Sequence, residues 1–135
     1  MKQLSSVAAL AALLMLTAGC TTSGMEATGR PGADAEFAKH LVIYNEALAS
    51  DVIIQDMNTR VTGGLLEVNV VLANLTGSDK KIQYRFSWYD DENFEVEAGA
   101  GNWTPLLLNG FAKKSMHALA PNPTVKTYKV NVREL

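Results

Sequence analysis

Apolar and polar residues alternate most clearly between Ile82 and Tyr89. One face of this stretch carries four apolar side chains, which are Ile82, Tyr84, Phe86 and Trp88. The other face carries Gln83, Arg85, Ser87 and Tyr89. Successive side chains of a strand point to opposite faces, so this pattern predicts a half-buried strand.

Similar short apolar or alternating stretches recur along the rest of the chain. They predict further strands at Leu41–Tyr44, Val52–Val61, Leu66–Leu72, Phe94–Val96, Trp103–Leu108, Phe111–Leu119 and Tyr128–Val132. Turn signals separate them, among them Gly63-Gly64 and Asn109-Gly110. Pro105 cannot donate a ladder hydrogen bond, so its strand is expected at a sheet edge. Six to eight short strands with no long helical period predict an all-β, antiparallel sandwich or barrel.

The first residues follow a different pattern, that of a secretory signal. Lys2 supplies a positive charge, Val7–Leu16 an apolar core, and Ala18 and Gly19 small residues before a cleavage site. The sequence Thr17–Cys20 resembles the lipobox of bacterial lipoproteins. In that family the cysteine sulfur receives a diacylglycerol, and the new amine is acylated, commonly by palmitate. An ordinary secreted protein with a chance cysteine is the alternative.

We therefore expect three segments, with a signal peptide at 1–19, lipidated Cys20 and a flexible tether at 20–39, and a β-sandwich at 40–135. The tether is expected because Thr21–Ala35 is rich in Thr, Gly, Ala and Ser. A short helical turn is expected over Ala33–His40, with Asp34 near its start. Thr21 follows the cysteine, where Asp would resemble an inner-membrane retention signal. The lipobox resemblance therefore implies the outer membrane, with the domain facing the periplasm.

Composition narrows the classes of partner. The 135 residues include 12 basic and 14 acidic side chains, for a net charge of −2. No basic cluster is longer than two residues, so we expect no nucleic-acid partner. Cys20 is the single cysteine, which excludes an intramolecular disulfide. The domain must be held together by its apolar core.

Several motifs of the domain are similar to those of the YcfL family of uncharacterised bacterial lipoproteins. These motifs are Gly64–Val68, Leu72–Asn74, Tyr84–Asp90, Trp103 and Ala118–Pro121. The resemblance implies an immunoglobulin-like β-sandwich on a lipid tether. It implies no known activity, cofactor or catalytic residue. Family members are often encoded near an activator lipoprotein of peptidoglycan synthesis, which implies a role in the cell envelope.

Candidate catalytic and metal-binding residues are few. Asp90–Glu92, with Glu95 and Glu97, offers oxygen ligands for Ca²⁺ or a glycosidase pair, but the spacing is not that of an EF-hand. A solvated hairpin turn is the simpler interpretation. His40 and His117 are too few to bind a metal without a third ligand. We expect no enzymatic activity, no cofactor and no metal.

Three residues are candidates for a partner surface, namely Arg85, Tyr89 and Trp103. Arg85 and Tyr89 fall on the polar face of their strand. Trp103 beside a Gly-rich segment is either a partner anchor, a sugar-stacking platform or a core residue closing one end of the sandwich. The leading hypothesis is a non-catalytic binding or accessory module for an envelope protein or peptidoglycan. The alternative is a small-ligand or metal-binding carrier with a pocket at one end of the sandwich.

Overall fold

The structure, a computed structural model, describes residues 34–99 and 101–135 as two packed β-sheets. The expected signal peptide, Cys20 and most of the expected tether lie outside the described residues. The strands are β1 Leu41–Ile43, β2 Val52–Thr62, β3 Leu65–Asn74, β4 Lys80–Tyr89, β5 Glu95–Val96, β6 Thr104–Leu108, β7 Lys113–Leu119 and β8 Thr127–Glu134. Two one-turn helices, α1 Ala35–Ala38 and α2 Glu46–Ala49, complete the described elements. The predicted β-sandwich class is confirmed.

One sheet has five strands arranged around β4. Strand β8 pairs with one side of β4, while β5 and β6 pair with the other side. Strand β1 adds to β8 in the parallel direction, and the other pairs are antiparallel. Pro105 lies on β6 opposite Gln83, at the edge that its missing N–H predicted.

The second sheet has three strands in the order β2-β3-β7. Strands β2 and β3 form a long hairpin, with a register shift between Ile54 and Asp56. Its turn is made by Gly63 and Gly64, whose φ angles of 59° and 80° favour glycine. Strand β7 pairs with the other side of β3, and Val70 is opposite Met116.

The core between the sheets is mainly aliphatic. Its fully buried residues include Ile54, Leu72, Ile82, Leu108, Val130 and Val132. Tyr84, Phe86 and Trp88 face inward as their alternation predicted, but they are only partly buried against this cluster. The opposing three-stranded sheet therefore leaves this row of rings on β4 partly exposed. The rings of Phe86 and Trp88 stack with their centroids 5.6 Å apart.

The segment before β1 contacts the domain. Asp34 caps α1 by accepting a hydrogen bond from the Glu36 N–H, as the sequence predicted for a helix start there. Phe37, on α1, packs against the core. Within 34–99 and 101–135, neither helix has the length or the apolar character needed to cross a membrane.

Candidate functional site

The strand registers assign a set of side chains to the outer face of the five-stranded sheet, the face turned away from the core. From β4 and β8 these are Lys81, Gln83, Arg85, Ser87, Tyr89, Thr127, Lys129, Asn131 and Arg133. From β5 and β6 they are Glu95, Pro105 and Leu107. Among these positions four are cationic and one is acidic.

Trp103 immediately precedes β6 and lies on this outer face. Its half-buried ring is covered by two guanidinium groups, with Arg133 Cζ 3.9 Å and Arg85 Cζ 4.9 Å from the ring centroid. The exposed ring of Tyr44 meets its edge, with centroids 6.0 Å apart. Trp103 is therefore not a core residue, and that alternative does not hold. We call Arg85, Trp103 and Arg133 the arginine–tryptophan cluster.

Hydrogen bonds fix the residues around this cluster. Arg133 Nε donates to Gln83 Oε1 at 2.8 Å. The buried amide of Asn131 donates to the Arg85 carbonyl oxygen and to Ser87 Oγ, and it accepts from the Tyr44 hydroxyl. Asn131 is directly opposite Arg85 in the sheet. The side-chain amide of Asn131 thus connects the backbone of β4 to the hydroxyl group of Tyr44, the residue that follows β1.

The two arginines of the cluster have no acidic partner within the part of the chain that the structure describes. The ion pairs found there involve other residues: Glu36–Lys39, Arg60–Glu67, Asp51–Lys80 and Glu67–His117. The Cζ atoms of Arg85 and Arg133 lie 4.9 Å and 3.9 Å from the same ring centroid, which limits the distance between the two cations. Two unneutralised cations are therefore close together on a solvent-facing surface.

Of the three residues expected to form a partner surface, the structure brings Arg85 and Trp103 together. Tyr89 lies on the same outer face, four residues farther along β4, with Lys129 Nζ 5.2 Å from its ring centroid. Arg133 and Tyr44 were missed as site residues. Alternation along β8 placed Arg133 outward, but only the pairing of β4 with both β8 and β6 brings it to Trp103.

The outer face of the three-stranded sheet has a different centre, the carboxylate of Glu67. Glu67 accepts hydrogen bonds from Arg60 Nε and from Thr62 Oγ1, and its second oxygen is 2.7 Å from His117 Nε2. The hydrogen bonds from Arg60, His117 and Thr62, in that order, lower the pKa of Glu67 to about 2. Arg60, Glu67 and His117 line an open groove of about 270 Å³ that also includes Asn69.

A pocket of about 240 Å³ is lined by residues of β2, β3 and β8, together with His40. The His40 ring stacks on Tyr128 at 4.4 Å, and its Nδ1 is 2.7 Å from the Tyr128 carbonyl oxygen. The Tyr128 hydroxyl contacts Met57 Sδ, and burial raises the pKa of Tyr128 to about 12. The polar groups of His40 and Tyr128 are thus already engaged within the protein, whereas the side chain of Lys126, which also lines the pocket, takes part in neither contact.

The other candidate ligands are dispersed or engaged. His40 lies near β8 while His117 lies on β7 of the other sheet. Asp90 Oδ1 accepts hydrogen bonds from the Glu92 and Phe94 N–H groups, which shapes the hairpin turn. Within residues 34–99 and 101–135, no group of three or more His, Cys, Asp or Glu side chains is placed to hold a metal ion.

Comparison with known proteins agrees with this architecture. A crystal structure of a DUF1425 family member from Shewanella sp. pv-4 is 30% identical, covers 62% of this chain and 78% of its own, and superimposes with a TM-score of 0.56. The crystal structure of Campylobacter jejuni cj0090 is 15% identical, covers 71% and 98%, and gives a TM-score of 0.58. The latter likeness concerns the fold alone. No curated protein matches this chain.

The fold and the site define a β-sandwich with a cationic, aromatic outer face on its larger sheet. The profile of one family, described as "Protein of unknown function (DUF1425)", matches residues 39–134. The chain belongs to the DUF1425 family.

Proposed function

We propose that this protein is a non-catalytic binding module that holds an envelope protein or peptidoglycan on the outer face of its five-stranded sheet. The observation that carries the proposal is Trp103, whose ring contacts the guanidinium groups of Arg85 and Arg133 on the outer face of the sheet. A tryptophan placed for stability alone would gain more by facing the core. Tryptophan and arginine are also the residue types that dominate binding energy at protein interfaces.

The surroundings of the cluster support the same proposal. Three large apolar side chains are exposed on this face, with 60% of Tyr44, 46% of Leu107 and 65% of Leu135 accessible to solvent. Leu107, Leu135 and Pro105 line a shallow depression of about 370 Å³. Apolar surface exposed beside a polar cluster is typical of interaction sites. A ligand seated here would contact apolar and cationic groups together.

Site-specific photocrosslinking in cells tests this proposal. A photoreactive residue at Leu107 or Tyr89 should give a discrete adduct, because both positions flank the arginine–tryptophan cluster. Ser115 is the matched control, since it is exposed on the outer face of the three-stranded sheet. We expect the Leu107 adduct to disappear in a Trp103→Ala background. Identical adducts from Leu107 and Ser115, unaffected by Trp103→Ala, would refute the proposal.

The proposal includes a lipid anchor at Cys20, as in the YcfL-type lipoproteins that the sequence resembles. Its support is the signal pattern of 1–19 and the lipobox-like Thr17–Cys20. Palmitate and a diacylglycerol at Cys20 would provide several acyl chains, and two or more such signals anchor a protein stably. The expected location is the outer membrane, with the β-sandwich facing the periplasm.

Fractionation tests the anchor separately from the binding surface. Cys20→Ala should move the protein from the membrane fraction to the soluble fraction, and globomycin should cause the uncleaved form to accumulate. Ser23→Ala, three residues away, is a control that should change neither result. A Cys20→Ala protein that stays in the membrane fraction would show that the lipoprotein interpretation is wrong.

A further inference from the structure

We infer that the arginine–tryptophan cluster binds a carboxylate of an acidic peptide segment whose apolar side chain occupies the adjoining depression. The inference rests on the proposed function, because it specifies the chemistry of the ligand that the same outer face would hold. Its first support is charge. The cations Lys81, Arg85, Lys129 and Arg133 outnumber the acids Glu95 and Glu97, which line a depression together with Arg85, although the whole chain has a net charge of −2.

Its second support is the contrast with Arg60, the other arginine among the described residues. Arg60 lies within ion-pair distance of the Glu67 carboxylate. Within the described ranges, Arg85 and Arg133 instead share one aromatic ring and contact no acid. The cluster therefore keeps a positive potential that an external anion can neutralise. Neighbouring cations repel one another, so neutralisation by a ligand would relieve that repulsion.

The cluster is also fixed in advance. Arg133 Nε donates to Gln83 Oε1 and its Cζ lies over the Trp103 ring, while its terminal nitrogens take part in no ion pair within the described residues. A planar guanidinium matches the two oxygens of a carboxylate, and a fixed side chain loses less entropy on binding. The contacts with Gln83 and Trp103 thus hold Arg133 in one conformation, which reduces the entropy lost when a carboxylate binds.

The apolar neighbours select a peptide over a simple anion. Trp103, Pro105 and Leu107 occupy alternate positions along the strand-β6 edge, so adjacent members are about 7 Å apart. Leu135 and Lys81 complete the depression around Leu107. Inorganic phosphate would use only the arginines. A peptide with an acidic residue two positions from an apolar one would place one side chain on the cluster and the other in the depression.

Titration of the full-length protein in detergent with synthetic peptides tests this inference. The probe is a capped hexapeptide with two glutamates alternating with two leucines, and the matched peptide has glutamine at both acidic positions. The readout is the indole N–H resonance of Trp103, assigned with a Trp103→Phe sample. We expect the acidic peptide to bind at least tenfold more tightly, with an affinity that falls as salt is raised.

Variants locate the binding on the cluster. Arg133→Gln and Arg85→Gln should each weaken binding of the acidic peptide at least fivefold, and Arg133→Lys should restore only part of the loss because the planar fork is missing. Arg60→Gln, on the other sheet, should leave the affinity unchanged. An equal effect of Arg60→Gln would refute the assignment.

Other outcomes separate this inference from the proposed function. Equal affinity for the acidic and the glutamine peptide would overturn the carboxylate inference. Binding of inorganic phosphate as tight as that of the acidic peptide would overturn the choice of a peptide. No binding of either peptide would overturn the inference as well. In each of these cases the Leu107 photocrosslink in cells still decides the proposed function independently.

Discussion

The outer faces of the two sheets both carry arginine, but they use it differently. On the three-stranded sheet, Arg60 is neutralised by Glu67, which also binds Thr62 and His117. On the five-stranded sheet, Arg85 and Arg133 cover Trp103, and no acid within the described residues neutralises them. The arginine of one face is thus neutralised within the protein, whereas the two arginines of the other face have no acidic partner among the described residues.

This difference is the reason for which we propose the outer face of the five-stranded sheet as the binding surface. A carboxylate that already accepts three hydrogen bonds has little to offer an external group, and a ligand at Glu67 would have to displace Arg60 or His117 first. At the arginine–tryptophan cluster a ligand would displace only water. Both faces contain cations, so the presence of positive charge does not distinguish them. They differ in the groups that their arginines contact, a carboxylate on one face and an aromatic ring on the other.

The largest expected effect concerns Asn131, the buried amide beneath the outer face of the five-stranded sheet. Asn131→Ala should lower the free energy of unfolding by about 1–3 kcal/mol, because Ser87, the Arg85 carbonyl and Tyr44 lose a partner. Asn69→Ala, the matched change on the other sheet, should cost less than about 0.5 kcal/mol. Urea denaturation measures both. Equal losses would mean that the two faces are supported in the same way.

A smaller effect tests whether the arginine and the tryptophan are energetically coupled. In a double-mutant cycle with Trp103→Leu and Arg133→Gln, we expect a coupling of about 0.5–1 kcal/mol, as for a cation over an aromatic ring. The control cycle pairs Trp103→Leu with Arg60→Gln, which should be additive within about 0.5 kcal/mol. Additivity in the first cycle would show that the observed stacking adds nothing to stability.

The smallest effect concerns the pH dependence of the self-satisfied face. The pKa of Glu67 is about 2 in the folded protein, against about 4.3 for a free glutamate. A lowered folded pKa contributes stability above pH 4.3, and that contribution is lost as the pH falls toward 2. Wild type should therefore lose more stability than Glu67→Gln between pH 5 and pH 2, measured as urea midpoints.

Two further variants check the cause of that pH dependence. Arg60→Gln should remove part of it, since the hydrogen bond from Arg60 is the largest cause of the lowered pKa of Glu67. Arg133→Gln should leave it unchanged. If the urea midpoints of wild type and Glu67→Gln changed equally with pH, the ionised Glu67 carboxylate would not contribute to stability through its hydrogen bonds, which would contradict this prediction.

Local sequence patterns predicted much of the fold because strand alternation is a local property. The period of two between Ile82 and Tyr89 assigned both faces of β4, and Pro105 indicated an edge strand. The extent of burial was not predictable in the same way. Phe86 and Trp88 are partly exposed, and how far the opposing sheet covers them depends on tertiary packing, which no single segment encodes.

The candidate site was predicted only in part, for a related reason. The sequence indicates Arg85 and Trp103 as candidates, but it is equally compatible with a core position for Trp103. Only the pairing of β6 with β4 places Trp103 on the outer face. Arg133 lies on β8 and Tyr44 follows β1, so their approach to Trp103 depends on pairings distant in sequence. A local pattern predicts which face of a strand each side chain is on, but it does not predict which other strands pair with that strand.

The parallel pairing of β1 with β8 has a consequence for folding. Strand β8 is the last strand in chain order, yet it lies between β1 and β4 in the sheet. Strand β4 can pair with β5 and β6 before β8 is present, but β1 joins the sheet only through β8, so the complete five-stranded sheet requires β8. Closing such distant pairings is slow. Arg133 arrives with β8, so the cluster exists only in the completed sheet.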